Sequence, residues 1–244
     1  MENRPGVTSK VLSPQEAMEV LDKALVLCPD ITVAGIAGPG DTLATDYALQ
    51  TFDLISQKYP KLLKCMSTNG LLLGERAQEI IESGLSSLTV TVNAVDPGIE
   101  AELNGQIIFH NKVYKGKEGA AILIENQMNG IRKIAKAGIT VKVNSVLVPR
   151  INGNHMEEIA RTVKAAGAEI YNIIPLIPQA FLAEEKAPVC AEIDEARMAA
   201  GKHIDVFRHC QRCRADAIGI PGGKDYGDMI YQRRITGNDT FSHG

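Results

Sequence analysis

"ITVKVNSVLVPRINGNHMEEIARTVKAAGAEIYNIIPLIP", residues 139–178, decides the fold. Its first nine positions are β-branched and apolar apart from Lys142, Asn144 and Ser145, which reads as a buried strand. A helical stretch from Asn154 to Ala166 follows and stops at Gly167, the usual residue for a left-handed C-cap. A second apolar run then begins at Ala168 and ends in the prolines 175 and 178. Two apolar strands joined by a helix of this length make a crossover unit with parallel strands.

The same unit repeats outward. "SPQEAMEVLDKAL" (13–25) opens on Ser13 as N-cap, with Pro14 next and Glu16 placed to complete a capping box. "DITVAGIAG" (30–38), "LLKCMST" (62–68) and "LSSLTVTVNAV" (85–95) read as strands. Helical stretches over 45–59, 74–84 and 119–138 separate them, the last two closed by Gly84 and Gly138. The count is five strand–helix repeats. Continuous apolar strands between helices belong to a parallel sheet, open and doubly wound or curled into a partial barrel. A further polar helix is expected around 190–202, the stretch 98–118 is read as an insertion, and residues 221–244 as a loose tail.

Composition removes whole classes of function. The 244 residues carry a formal net charge of −3, so no basic field recruits nucleic acid. No apolar run is long enough to span a bilayer and the first ten residues have no apolar core of a leader, which points to a cytoplasmic protein. Five cysteines, an odd number, fit a reducing compartment better than a disulfide framework. "GIAGPGD" (35–41) is neither a dinucleotide fingerprint nor a P-loop, though its glycines allow close backbone approach to an anion or carboxylate. No nucleophile elbow and no H-E-x-x-H occurs.

Polar residues gather instead where strands end: Gly38, Pro39, Gly40 and Asp41; Cys65, Ser67 and Asn69; Asn93 and Asp96; Asn144 and Ser145. Strand carboxyl ends form the ligand face of parallel α/β folds. His155, at a helix start, reads as solvated. Cys28 reads as packing, Cys190 as structural. Cys210 and Cys213, in "RHCQRCRADA" (208–217), admit three readings: structural zinc with other ligands, a redox pair, or iron–sulfur ligation with Cys65 as a third thiolate.

"NRPGV" (3–7), "VAGIAGPGDTLA" (33–44), "KCMSTNGLLL" (64–73), "LTVTVNAVDP" (88–97), "VKVNSVLVPRIN" (141–152), "YNIIPLIP" (171–178) and "RHCQRCRADAIG" (208–219) occur in one order. Together they closely resemble the radical S-adenosylmethionine (SAM) core of the nitrogenase cofactor maturase family, NifB. The resemblance implies a partial TIM-like α/β barrel over residues 1–220 with its first strand and cluster loop missing. It implies [4Fe–4S] clusters and SAM as cofactors, cluster fusion with carbide insertion to an eight-iron precursor of the iron–molybdenum cofactor, and cofactor assembly or carrier proteins as partners. On this resemblance Gly38, Pro39, Gly40 and Asp41 receive the methionine amino group, and Ser67 and Asn69 face SAM or a cluster. Asn144 and Ser145 contact ribose and carboxylate, Ile173 flanks adenine, and Cys65, Cys210 and Cys213 ligate clusters. The C-x₃-C-x₂-C loop that holds the catalytic cluster in radical SAM enzymes is absent from these 244 residues. The chain alone is therefore not expected to cleave SAM, and no residue is assigned to catalysis. A non-catalytic cluster carrier on the same fold, or a zinc-stabilised α/β protein, is the alternative.

Overall fold

Ser13 starts the first helix as its sequence dictates. In the computed structural model, which describes residues 11–38, 40–207, 218–220 and 223–231, the Ser13 hydroxyl accepts the Glu16 amide at 3.3 Å. The Glu16 carboxylate in return accepts the Ser13 amide at 2.9 Å. Each end of the exchange satisfies a donor that the first turn leaves without a helical partner.

The elements run α1 (Pro14–Leu27), β1 (Val33–Ile36), α2 (Tyr47–Lys58), β2 (Leu63–Thr68), α3 (Leu73–Glu82), β3 (Ser87–Thr91) and α4 (Pro97–Leu103). They continue with β4 (Gln106–Phe109), β5 (Lys112–Lys115), α5 (Gly116–Lys136), β6 (Thr140–Leu147), α6 (Pro149–Asn152) and α7 (Met156–Ala166). The last are β7 (Ile170–Pro175), α8 (Cys190–Ala200), β8 (Asp205–Val206) and α9 (Gly227–Tyr231). Gly84, Gly138 and Gly167 take positive φ just past α3, α5 and α7, as helix stops of that kind require. None of the helices among the described residues is long and apolar enough to cross a membrane.

The five expected strands are present. Three further ones were not read from the sequence. β8 is two residues long, too short to carry a period. β4 and β5 form a hairpin inside the 98–118 insertion, turned by His110 and Asn111, both at positive φ. Part of the stretch read as tail, α9, is helical.

The chain divides into two compact units. Over the described residues, one takes 11–67, 79–87 and those from 218 on; the other takes 68–78 and 88–207. In the first, β1 and β2 pair in parallel, with Gly35 opposite Cys65. In the second, β3, β6, β7 and β8 lie side by side in that order. There β6 and β7 run parallel with Asn144 opposite Asn172, and β7 and β8 likewise run parallel.

The core of the second unit is apolar and tight. Leu73, Leu88, Val90, Ile131, Val141, Val143, Ile159 and Val163 are all fully buried. Gly130, inside α5, shows how tight. A Cβ there would sit 2.3 Å from Leu73 Cγ and 2.7 Å from its Cβ. Gly130→Ala therefore loses stability by about 1–3 kcal/mol from overpacking, although alanine is the better helix former by about 1 kcal/mol. Urea unfolding of the variant checks this; a gain in midpoint would show that α5 can shift to admit the methyl group.

Candidate functional site at the strand ends

Strand alternation sorts the expected site residues into two faces. In β6, Thr140, Lys142, Asn144 and Val146 are part-exposed, while Val141, Val143, Ser145 and Leu147 are buried. In β7 the division is lost, since Tyr171, Asn172 and Ile173 are all buried, but the register places Asn172 beside Asn144, whose Oδ1 accepts from Asn172 Nδ2 at 3.2 Å. On that face the Lys142 ammonium lies 5.7 Å from the Phe207 ring centroid.

Ser145 and Ile173 point the other way. Both are completely buried. The Ser145 hydroxyl donates to the Val92 carbonyl and accepts from the Tyr171 hydroxyl at 2.8 Å. Tyr171 also reaches Met156 Sδ at 3.2 Å, and burial holds its phenol well above the ordinary value. The side chains of Ser145 and Ile173, expected at ribose or carboxylate and at adenine, are thus packed within the protein. Strand residues one position apart face opposite sides, and these two fall on the helix side.

In the first unit, Leu63, Cys65 and Ser67 form the more open face of β2, against buried Lys64, Met66 and Thr68. Cys65 is a free, part-exposed thiol. Opposite it, Gly35 leaves open space: a Cβ there would have nothing nearer than the Cys65 carbonyl oxygen at 4.0 Å. The loop after β1 takes φ +24° at Gly38 and +84° at Gly40, and a Cβ on Gly38 would lie 2.6 Å from the Gly40 carbonyl oxygen. Only glycine fits there. The Asp41 carboxylate accepts the Leu43 amide at 2.9 Å, and the Thr42 hydroxyl donates to the Ser67 carbonyl at 2.6 Å, tying this loop to the end of β2. Pro39 lies outside the described residues.

In the second unit, exposed Asn69 accepts the Leu71 amide at 2.8 Å. The buried Gln127 amide nitrogen donates both to the Asn69 carbonyl at 2.8 Å and to the Thr91 carbonyl at 2.9 Å.

The sequence reading missed the side chains that hold residues 93–96. Asn152 is fully buried; its Oδ1 accepts the Val148 amide, and its Nδ2 donates to the carbonyls of Asn93 and Val146, all at 2.8–2.9 Å. Asn93 Oδ1 accepts the Val146 amide at 2.9 Å. His155 is not solvated: its Nε2 accepts the Val95 amide at 3.1 Å, and burial lowers its pKa, so the ring is neutral with its proton on Nδ1. Asp96 caps α4 through the amides of Gly98 and Ile99, and those bonds hold its carboxyl below the usual range. Glu100 is 1% exposed, accepts from Asn104, and is pushed by burial up to about 7. An asparagine inside an apolar strand signals such a network, because a buried amide must find partners. Which partners it finds depends on chain segments far away in sequence.

Among the described residues no three His, Cys, Asp or Glu side chains stand close enough to hold a metal ion. Cys28 is buried and Cys190 exposed at the start of α8. Cys210 and Cys213 lie outside the described residues.

Residues 2–163 match the radical SAM superfamily. Over 219 residues the chain is 44% identical to the FeMo cofactor biosynthesis protein NifB of Methanocaldococcus infernus, covering 90% of this chain and 72% of that one. This chain belongs to the NifB family. The corresponding protein of Azotobacter vinelandii is 37% identical over 241 residues, which span 96% of this chain but 48% of its own length. In three dimensions a radical SAM methyltransferase from Sphaerobacter thermophilus superposes with TM-score 0.64 at 16% identity, over 84% of this chain and 60% of that one. SuiB of Streptococcus suis, bound to S-adenosylmethionine, gives 0.61 at 10% identity over 87% and 46%. These likenesses show the fold: an α/β partial barrel of the radical SAM type.

Radical SAM membership implies SAM and a [4Fe–4S] cluster. Three cysteines in the spacing C-x₃-C-x₂-C hold such a cluster, and the cysteines at 28, 65, 190, 210 and 213 of this NifB-family chain contain no such trio. The residues present do not fit the catalytic cluster, and no reaction step is derived through it.

Proposed function

We propose that this chain works in FeMo-cofactor biosynthesis as a radical SAM core whose substrates are iron–sulfur clusters. The reaction of that pathway joins two four-iron clusters and inserts a carbide from the SAM methyl group, yielding the eight-iron precursor; the 244 residues alone, which hold no C-x₃-C-x₂-C, are not expected to perform it. The observation that carries the reading is the 44% identity to a NifB protein over 90% of the chain. In this reading Cys65 ligates a substrate cluster, supported by its part-exposed thiol opposite Gly35. Cys210 and Cys213 hold another. Gly38, Pro39, Gly40 and Asp41 receive the methionine amino group, Asn69 and Ser67 line the ligand face, and Asn144 meets the ribose or carboxylate. Cofactor assembly or carrier proteins take the product.

A second reading, a cluster carrier that performs no radical step, is favoured by one fact: the three-cysteine motif does not occur in these residues. Both readings require iron on Cys210 and Cys213. Anaerobic reconstitution followed by iron, sulfide and EPR measurement tests that requirement. We expect about four irons per cluster held, with one cluster's worth lost in Cys210→Ser/Cys213→Ser. Zinc in place of iron, or iron content indifferent to the substitutions, would overturn both.

A further inference from the structure

Residues 176–189, "LIPQAFLAEEKAPV", join β7 to α8 and hold one 3₁₀ turn, Ala180–Leu182. Connections this long are uncommon in compact domains and commonly serve as lids or binding loops. This one is tied down at the carboxyl ends of the strands. Leu176 is buried with Ala94, Leu103 and Val148, and Leu182 packs on that cluster. Ala94 lies shortly past the end of β3 and Val148 directly past the end of β6, so the connection crosses both ends.

A second hold is ionic. Arg150, in α6, donates from Nε to both Glu185 carboxylate oxygens, at 3.1 and 3.2 Å, and from Nη2 to Oε1. Its Nη1 also reaches Glu102 of α4 at 3.5 Å. The Glu185 side chain is 18% exposed, against 64% for Arg150 and 58% for Glu102.

Three features make this hold reversible. Ala180 has φ of 49°, the left-handed region that a residue with a Cβ avoids, so release of the turn relieves strain. Arg150 keeps Glu102 as a partner when it lets go of Glu185. Ile177 and Phe181, on either side of the turn's first residue, are 69% and 73% exposed, so the tip adds little burial to the state in which the connection is tied down.

We propose that residues 177–189 form a gate over the carboxyl ends of β3 and β6, held shut by Leu182 and the Arg150–Glu185 pair and opening when that pair breaks. Strand carboxyl ends are the ligand face of parallel α/β folds, so the gate controls access to that face. The inference goes beyond the proposed function and holds whichever ligand the face takes.

The amides of Leu182, Ala183 and Glu185 donate to the carbonyls of Gln179, Ala180 and Leu182, all within the gate, so their hydrogen exchange reports its opening. Exchange is followed by mass spectrometry on the full chain, with a peptide from α7 as control. We expect Arg150→Gln to speed exchange at 182–185 about fivefold, as loss of an exposed ion pair allows. Ala180→Gly is expected to slow it about threefold, since glycine takes the left-handed turn without strain. The α7 peptide stays unchanged in both. Access is read separately in Val148→Cys, whose new thiol lies beneath the gate: its modification by iodoacetamide, located by mass, quickens about fivefold when Arg150→Gln is added. Exchange at 182–185 indifferent to Arg150→Gln, faster exchange in Ala180→Gly, acceleration shared equally by α7, or thiol modification that does not follow the exchange would each overturn the gate.

Discussion

Asn152→Ala loses about 3–6 kcal/mol of stability, a large share of the about 5–15 kcal/mol that holds an ordinary domain folded. The side chain makes three hydrogen bonds in a fully buried place: it accepts from Val148 and donates to Asn93 and Val146. Alanine leaves one donor and two acceptors without partners, each costing about 1–3 kcal/mol. The effect falls where β3 and β6 end, because Asn93 and Val146 lie at those ends. Asn152→Asp does more harm still, since one carboxylate oxygen then faces two carbonyls. Denaturant unfolding checks both, with Asn154→Ala, at an exposed neighbour two positions on, expected within about 0.5 kcal/mol of wild type. An Asn152→Ala protein as stable as the Asn154→Ala control would mean that water replaces all three bonds.

Glu100→Gln removes a pH dependence. Burial raises the folded-state pKa of Glu100 from 4.5 to about 7. Between those values the folded chain keeps a proton that the unfolded chain has released, so stability falls as pH rises through the window and levels off above it. At about 1.4 kcal/mol per pH unit the total is roughly 3 kcal/mol. The Glu100→Gln variant keeps an acceptor for Asn104 and carries no charge. It is expected to match the wild type near pH 4 and to exceed it by roughly 3 kcal/mol at pH 8. Urea midpoints measured across that range decide the matter, and parallel curves would show that Glu100 is solvated when ionised. Paired surface carboxylates such as Glu157, Glu158 and Glu185 have lowered pKa values and lose stability in the opposite direction, as pH falls. They are common to both proteins and cancel in the comparison.

Local chemistry made much of the fold legible. The Ser13–Glu16 box, the glycines at 84, 138 and 167, and the apolar strands each act within a few residues of chain, so the sequence displays them directly. The hairpin escaped notice because its turn uses His110 and Asn111 where Asn-Gly is the recognised signal. β8 escaped because two residues show no period. Among the residues named for the site, Cys65 and Asn144 are part-exposed, whereas Ser145 and Ile173 are buried, because a one-residue step along a strand reverses the face.

His155 and Glu100 mark the division most clearly. In the sequence each is an ionisable residue at or near a helix start, where water is the ordinary partner. In the structure each instead binds the backbone of residues 94 and 95. By itself the sequence determined the α/β class, the five strand–helix repeats and the family, because capping, periodicity and a set of motifs in register are properties of the chain as written. Only the tertiary structure decided which polar side chains face outward and which hold the strand ends together. Those partners lie about fifty to sixty residues apart, and burial, which sets their protonation, exists only once the chain has folded.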